Sequence, residues 1–119
     1  MLVLSWANIE REYNDMTLSQ LQKLPLFMTS SISAAMRDAN TNAYIIECIE
    51  AYYSGDYGEV PPEDIELNNA DLSAGEGHVL ARYEAKHELT SDIYIESHFT
   101  PRHKGPDYNS TVICYCSER

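Results

Sequence analysis

Apolar residues follow a helical period through the first two-thirds of the chain and alternate with polar residues in the last third. The clearest helical pattern covers residues 43–53, where Glu47 and Glu50 fall on the opposite, polar side. Gly55 follows and suits the left-handed position that ends many helices. The spacing predicts a helix with an inward stripe formed by Ile45, Ile46, Ile49, Tyr52 and Tyr53.

Three weaker helical patterns surround this one. Leu18, Leu21 and Leu24 share a face before Pro25, and the hydroxyl residues from Thr29 onward predict the start of a helix over about residues 30–38. Pro61-Pro62 is typical of a helix N-terminus, and Glu63, Asp64 and Glu66 lie in or near the turn where the helix dipole favours negative charge. We expect Ile65 and Leu72 of this helix to face inward, with Asn68 and Asn69 capping or closing a turn nearby.

After Gly77 the spacing of apolar residues changes from a helical period to alternation. Residues 78–85, 92–99 and 110–116 alternate or are rich in β-branched and aromatic side chains, which predicts three strands. The links, residues 86–91 and 100–109, are too short for helical crossovers, so the strands should pair antiparallel. The predicted fold class is therefore α+β, with three or four short N-terminal helices followed by a three-stranded antiparallel sheet.

A chain of 119 residues corresponds to one domain. We assign residues 1–24 to an N-terminal extension and residues 25–119 to a single α+β domain. The apolar residues within 1–16 indicate either a short helix packed on that domain or an arm that docks on a partner. No apolar run reaches the length of a membrane span, and the first residues lack the charged start of a signal peptide.

The net charge of −11 changes this picture, because the Asp and Glu residues are concentrated in one part of the chain. Residues 38–81 contain ten Asp or Glu and no Lys or Arg. Direct binding to nucleic acid is disfavoured, since phosphate neutralisation needs clustered basic residues. The odd count of three cysteines does not indicate a disulfide framework, so we expect a reducing, cytoplasmic setting, with Cys48 as a buried small apolar residue.

The acidic residues have two interpretations. They could imitate nucleic acid and occupy a basic, nucleic-acid-binding surface of a protein partner, or they could form a solvated face that keeps the chain soluble. Nearby tyrosines could be binding anchors or packing residues. For the first interpretation, the candidate partner-binding residues are Asp56, Tyr57, Glu59, Glu63, Asp64, Glu66, Asp71 and Glu76.

Several motifs in this region resemble a family of small acidic proteins found on bacterial plasmids and conjugative elements. They are Gly55-Asp56-Tyr57-Gly58, Glu63-Asp64, Asn68, the Gly75-Glu76-Gly77 turn and the following Leu80-Ala81-Arg82-Tyr83. The resemblance covers about residues 30–116, although Tyr57 stands where the family often has Trp. The family carries no known chemistry.

That resemblance implies a mobile-element setting, in which small acidic proteins often counter host defence nucleases. We therefore expect a non-enzymatic inhibitor of a CRISPR or restriction nuclease that acts as a DNA mimic. The alternative is an accessory or scaffolding protein of the element itself, which could self-associate.

The sequence gives weaker evidence for a metal site or a catalytic site. His98, His103, Cys114 and Cys116 have the ligand types of tetrahedral zinc, but Cys-x-Cys is not the usual spacing, so surface histidines and sheet cysteines are the competing interpretation. Glu76 with His78, or His87 with Glu88, could be drawn as acid-base pairs, but nothing supplies an activated nucleophile. We expect no catalytic residues, no metal and no cofactor. The basic segment 100–109 could contact an acidic partner or be a solvated hairpin tip.

Overall fold

The computed structural model describes residues 17–100 and 109–119. This part of the chain forms an α+β fold, as predicted, with four α-helices and a four-stranded sheet. In chain order the elements are α1 (Leu18–Leu21), β1 (Leu26–Met28), α2 (Ser30–Ala35), α3 (Ala39–Tyr53), α4 (Pro62–Ala74), β2 (Gly77–Tyr83), β3 (Ile93–Phe99), β4 (Ser110–Tyr115) and a final 3₁₀ turn (Cys116–Glu118).

The sheet has the strand order β1-β4-β3-β2. Antiparallel pairing of β2 with β3 and of β3 with β4 confirms that part of the prediction. The predicted three-stranded sheet is incomplete, however, because the short β1 adds a fourth strand that runs parallel to β4. Hydrogen bonds from Thr111 N to Pro25 O (2.8 Å) and from Thr29 N to Ile113 O (3.1 Å) fix this strand on the sheet, which is therefore mixed.

Side-chain caps determine where α1, α2 and α3 begin, whereas α4 begins at Pro61-Pro62 without one. Thr17 and Gln20 form a reciprocal capping box at α1, and the Thr29 hydroxyl accepts a hydrogen bond from Ile32 N at α2. Asp38 caps α3 by accepting hydrogen bonds from the backbone N and the hydroxyl of Thr41, each at 2.9 Å. The helix predicted over residues 30–38 therefore ends earlier, and α3 starts four residues before its predicted start.

The core lies between α3 and one face of the sheet, and it also includes one buried residue from each of α1 and α2. Leu21, which the sequence analysis placed in the N-terminal extension, is fully buried in this core. Cys48 is 3% exposed, which confirms that it is a buried small residue, whereas Ile46 is 44% exposed and does not belong to the inward stripe. Within the described residues, no helix is long and apolar enough to cross a bilayer.

Candidate protein-binding surface

Helix α4 docks on the sheet through polar groups. The buried side chain of Asn68 donates to Leu80 O (2.9 Å) and accepts from Leu80 N (3.0 Å) on β2. One turn further on, Asp71 Oδ2 accepts from His78 N at 3.0 Å. These bonds occupy the outward-pointing backbone groups at the edge of β2, which would otherwise be open for pairing.

This docking determines which acids face outward. The helical period puts Asp64 and Asp71 on the same side of α4 as Asn68, toward the sheet, and both are half-buried. Glu63 and Glu66 lie on the opposite side and are exposed, next to Leu67, which is 61% exposed. Helix α4 thus presents carboxylates and an apolar side chain to solvent.

The Gly55–Gly58 turn fixes the segment that precedes α4. Arg82 N donates to Tyr57 O (3.1 Å) and Glu59 N donates to Arg82 O (2.7 Å), so this segment pairs with the end of β2. Gly58 has a φ of 69°, and a Cβ there would collide with the Arg82 carbonyl oxygen and the Tyr83 ring. Asp56 Oδ1 accepts from Gly58 N at 3.1 Å, which holds the Asp56 side chain at the turn.

The structure separates the eight predicted partner-binding residues into three groups. Tyr57 is 5% exposed and packs edge-on against the buried Tyr52, so it is a core residue and is not available to a partner in this structure. Asp64 and Asp71 are half-buried on the sheet side of α4. The exposed group, which we call the acidic surface, consists of Asp56, Glu59, Glu63, Glu66 and Glu76.

A groove of about 200 Å³ lies beside Asp56. Its walls come from α3, the turn and the end of β2, and its main lining residues are Tyr44, Glu47, Cys48, Ala51, Asp56 and Tyr83. Glu47 and Asp56 are exposed at the rim, while Cys48 and Tyr83 are 3% and 7% exposed at the base. The sequence analysis missed the groove, although the spacing of Tyr44, Glu47 and Ala51 along one helix face was a usable signal.

Charge in the groove comes from its carboxylates. Burial raises the pKa of Tyr44 and of Tyr83, and it also raises the pKa of the Cys48 thiol. All three groups are therefore neutral near pH 7, and the hydroxyls are engaged: Tyr44 donates to Glu84 O and Tyr83 donates to Asp56 O, each at 2.6 Å. A groove with neutral aromatic walls and an acidic rim can accept a positively charged group.

The structure does not bring His98 and Cys114 of the zinc hypothesis together. The strand register places His98 opposite Ser110, but Cys114 opposite Tyr94, four residues along β4 and therefore about 13 Å away. His98 Nε2 instead lies 2.5 Å from Glu96 Oε1. His103 lies outside the described residues, and among those described no group of three His, Cys, Asp or Glu side chains could hold a metal ion.

The structure also describes the histidines of the two candidate acid-base pairs. The His78 Nδ1 atom lies 3.9 Å from Asp71 Oδ2, and the His78 ring is 5.8 Å from that of His98. The His87 ring contacts Tyr44 edge-on at 6.1 Å. The basic segment contains residues 101–108, which lie outside the described part of the chain.

Comparison of the chain with protein-family profiles, with curated proteins and with solved structures found no match. Function is therefore inferred from the residues of this chain and from their arrangement.

Proposed function

We propose that the protein is a non-enzymatic inhibitor that binds a DNA-interacting defence protein, a CRISPR or restriction nuclease, through its acidic surface. The observation that supports this proposal is a set of exposed carboxylates on the outward side of α4 and in the segment before it. Asp56, Glu59, Glu63 and Glu66 are exposed there, in a 44-residue stretch without Lys or Arg. Such a surface would meet the basic groove that a nuclease uses for phosphates, in a fast and salt-sensitive association.

The docking of α4 supports the proposal physically. Asn68 and Asp71 tie the helix to β2, so the outward carboxylates are held on a rigid element before a partner arrives. A preorganised surface loses less conformational entropy on binding than a flexible acidic tail does. Exposed Ile65 (39%) and Leu67 (61%) add apolar area on α4 that a partner could cover.

The mobile-element origin rests on the sequence resemblance, and the cytoplasmic setting rests on the odd cysteine count. Within that setting the acidic surface would compete with DNA for the nuclease, and no cofactor or chemical step is required.

The test uses purified nucleases of several defence systems, with DNA cleavage and direct binding measured at low and at high salt. The wild type should inhibit at least one nuclease, and high salt should weaken binding. The variant Glu59→Lys/Glu63→Lys/Glu66→Lys should lose inhibition. Its matched control, Glu50→Lys/Glu84→Lys/Glu88→Lys, changes the net charge equally at exposed positions elsewhere and should still inhibit. Both variants need thermal melts, because Glu63 lies in the first turn of α4, where reversal costs about 0.3–1 kcal/mol.

Two results would contradict the proposal. If the first variant inhibits as well as the control does, the acidic surface is not the binding surface. If the wild type inhibits no nuclease in the panel and binds none, the inhibitor function is wrong.

One observation favours the accessory function as a second candidate. At the edge of the sheet formed by β1, Phe27 is 58% exposed and Leu26 is 38% exposed. Residues 17–37 contain no Asp or Glu, and the carboxylate of Glu118 beside them is hydrogen-bonded to Thr29 and Ser31, so two copies could pair their β1 edges with little charge repulsion. Light scattering over a range of concentrations tests this: Phe27→Lys should convert a dimer to a monomer, and a wild-type monomer at all concentrations would rule it out.

A further inference from the structure

We infer that the groove between α3, the Gly55–Gly58 turn and Tyr83 is a binding site for one arginine side chain of a protein partner. This inference rests on the proposed function, because it assigns the contact that anchors a basic partner. Size is the first reason. Pockets for drug-sized molecules are roughly 300–1,000 Å³. At about 200 Å³ this groove suits a single long side chain.

The distribution of polar and apolar groups is the second reason. Cys48, Ala51 and Tyr83 supply a base of apolar and aromatic atoms, and the acidic residues Glu47 and Asp56, which also line the groove, are exposed. Long cationic side chains lay their methylene stem along apolar surface while the charged head stays near solvent. The apolar base of the groove suits such a stem, and its acidic residues suit the charged head.

The third reason is that a cation already contacts one wall. The Lys86 ammonium lies 5.0 Å from the centroid of the Tyr44 ring, within the range of a cation–π interaction. The chain's own lysine therefore shows that this ring accepts positive charge. Lys86 should also compete with an incoming cation, which gives the inference a second, independent consequence.

Arginine fits this arrangement better than lysine does. A guanidinium is planar, carries five N–H donors and stacks on aromatic rings, so one head group can bond two carboxylates while lying against tyrosine. An ammonium group is smaller, more strongly hydrated and lacks the planar fork. A basic partner would thus place an arginine in the groove while its other cations face the acidic surface.

The experiment is an NMR titration of the ¹⁵N-labelled full chain with N-acetyl-arginine amide at physiological salt, where diffuse attraction is screened. Saturable shifts should concentrate on the amides of Ala51 and Gly58 and their neighbours. The isosteric but neutral N-acetyl-citrulline amide should give at least about fivefold weaker binding, because hydrogen bonds to charged groups are the stronger ones.

Variants identify the groups responsible. Glu47→Gln/Asp56→Asn should weaken arginine binding at least about fivefold; asparagine keeps an oxygen that can accept from Gly58 N, so the turn is preserved. The control Glu50→Gln/Glu88→Gln removes the same charge at exposed positions outside both the groove and the acidic surface and should bind as the wild type does. Lys86→Gln should bind more tightly, because the competing ammonium is removed.

Shifts spread evenly over the acidic surface, or equal binding by the groove variant and the control, would overturn the inference. That failure would be distinct from failure of the proposed function. If nuclease inhibition depends on Glu59, Glu63 and Glu66 but the protein does not bind the arginine probe, only the inference about the groove is wrong.

Discussion

The side chain of Asn68 pairs with the backbone of Leu80 as a neighbouring strand would. Its amide nitrogen donates to Leu80 O at 2.9 Å, and its amide oxygen accepts from Leu80 N at 3.0 Å. A helix side chain thereby closes the edge of β2 and holds α4, with its outward carboxylates, on the sheet. We regard this contact as the link between the fold and the candidate binding surface.

Replacing Asn68 with alanine should therefore destabilise the protein by about 1–3 kcal/mol, because two part-buried backbone groups of Leu80 lose their partners. Asn69→Ala, one position along the same helix and exposed, is the matched control and should change stability by less than about 0.5 kcal/mol. Urea unfolding followed by circular dichroism measures both. A similar loss in the two variants would show that the Asn68 amide has no special role.

Gly58 offers a second test, because two separate constraints meet there. Gly58→Ala should cost about 3 kcal/mol or more, since the positive φ adds about 1–2 kcal/mol and the collision with Arg82 O and Tyr83 adds about 1–3 kcal/mol. Gly55→Ala isolates the first term. Its φ is 88°, but its new Cβ would meet only an ordinary contact, Leu18 Cδ1 at 3.4 Å. Equal destabilisation by both changes, measured by thermal melts, would contradict the collision.

Local patterns predicted much of the fold. The stripe of Ile45 and Tyr52 identified α3, and alternation identified β2, β3 and β4 to within about two residues at each end. Strand β1 was missed because it is three residues long and directly follows Pro25. Its identity as a strand depends on pairing with β4, more than eighty residues later, and no local pattern encodes such a contact.

The candidate surface was harder to predict, because hydrophobic periodicity assumes that a helix docks by burying apolar residues. Helix α4 packs Leu72 against the core, as predicted, but it also buries Asn68 and leaves Ile65 39% exposed, so the predicted inward position of Ile65 was wrong. Tyr57 entered the core because Gly58 bends the turn toward β2, a conformation that the sequence permits but does not specify. Polar docking of this kind could have been suggested by the Asn68–Asp71 spacing.

The Tyr52 hydroxyl connects α3 to the middle of the sheet. It donates to Val79 O at 3.1 Å and lies 2.6 Å from Ser97 Oγ, which in turn lies 2.6 Å from Thr111 Oγ1. All these groups are buried, so Tyr52→Phe should cost about 1–3 kcal/mol. Because Ser97→Ala breaks the same network, the double variant should lose less than the sum of the two single changes.

Unfolding free energies of the two single variants and the double variant complete that comparison. A coupling of at least about 0.5 kcal/mol is expected for residues in one hydrogen-bond network. Strict additivity would mean that Tyr52 and Ser97 contribute independently, and the network would then have no cooperative role.

Asp92 should make stability depend on acid pH. Its carboxylate accepts from Ala85 N at 2.8 Å and from the Arg82 guanidinium at 2.9 and 3.1 Å, and these bonds hold the pKa of Asp92 below its ordinary value. A lowered folded-state pKa means that the unfolded chain binds the proton more readily. The contribution of Asp92 is therefore fully present above about pH 4 and is lost as the pH falls through the lower, folded-state pKa.

Other carboxylates titrate in the same range, and their protonation relieves repulsion on the acidic surface, so the raw pH profile of the wild type mixes opposing effects. The difference between the wild type and Asp92→Asn isolates the one group, since asparagine keeps an acceptor for Ala85 N but loses the negative charge facing Arg82. We expect the wild type to be the more stable protein near pH 7 and this advantage to shrink steadily below about pH 4. Urea unfolding of both proteins from about pH 7 to about pH 2.5 measures it. An advantage that stays constant over that range would show that the Asp92 charge does not stabilise the β2–β3 hairpin.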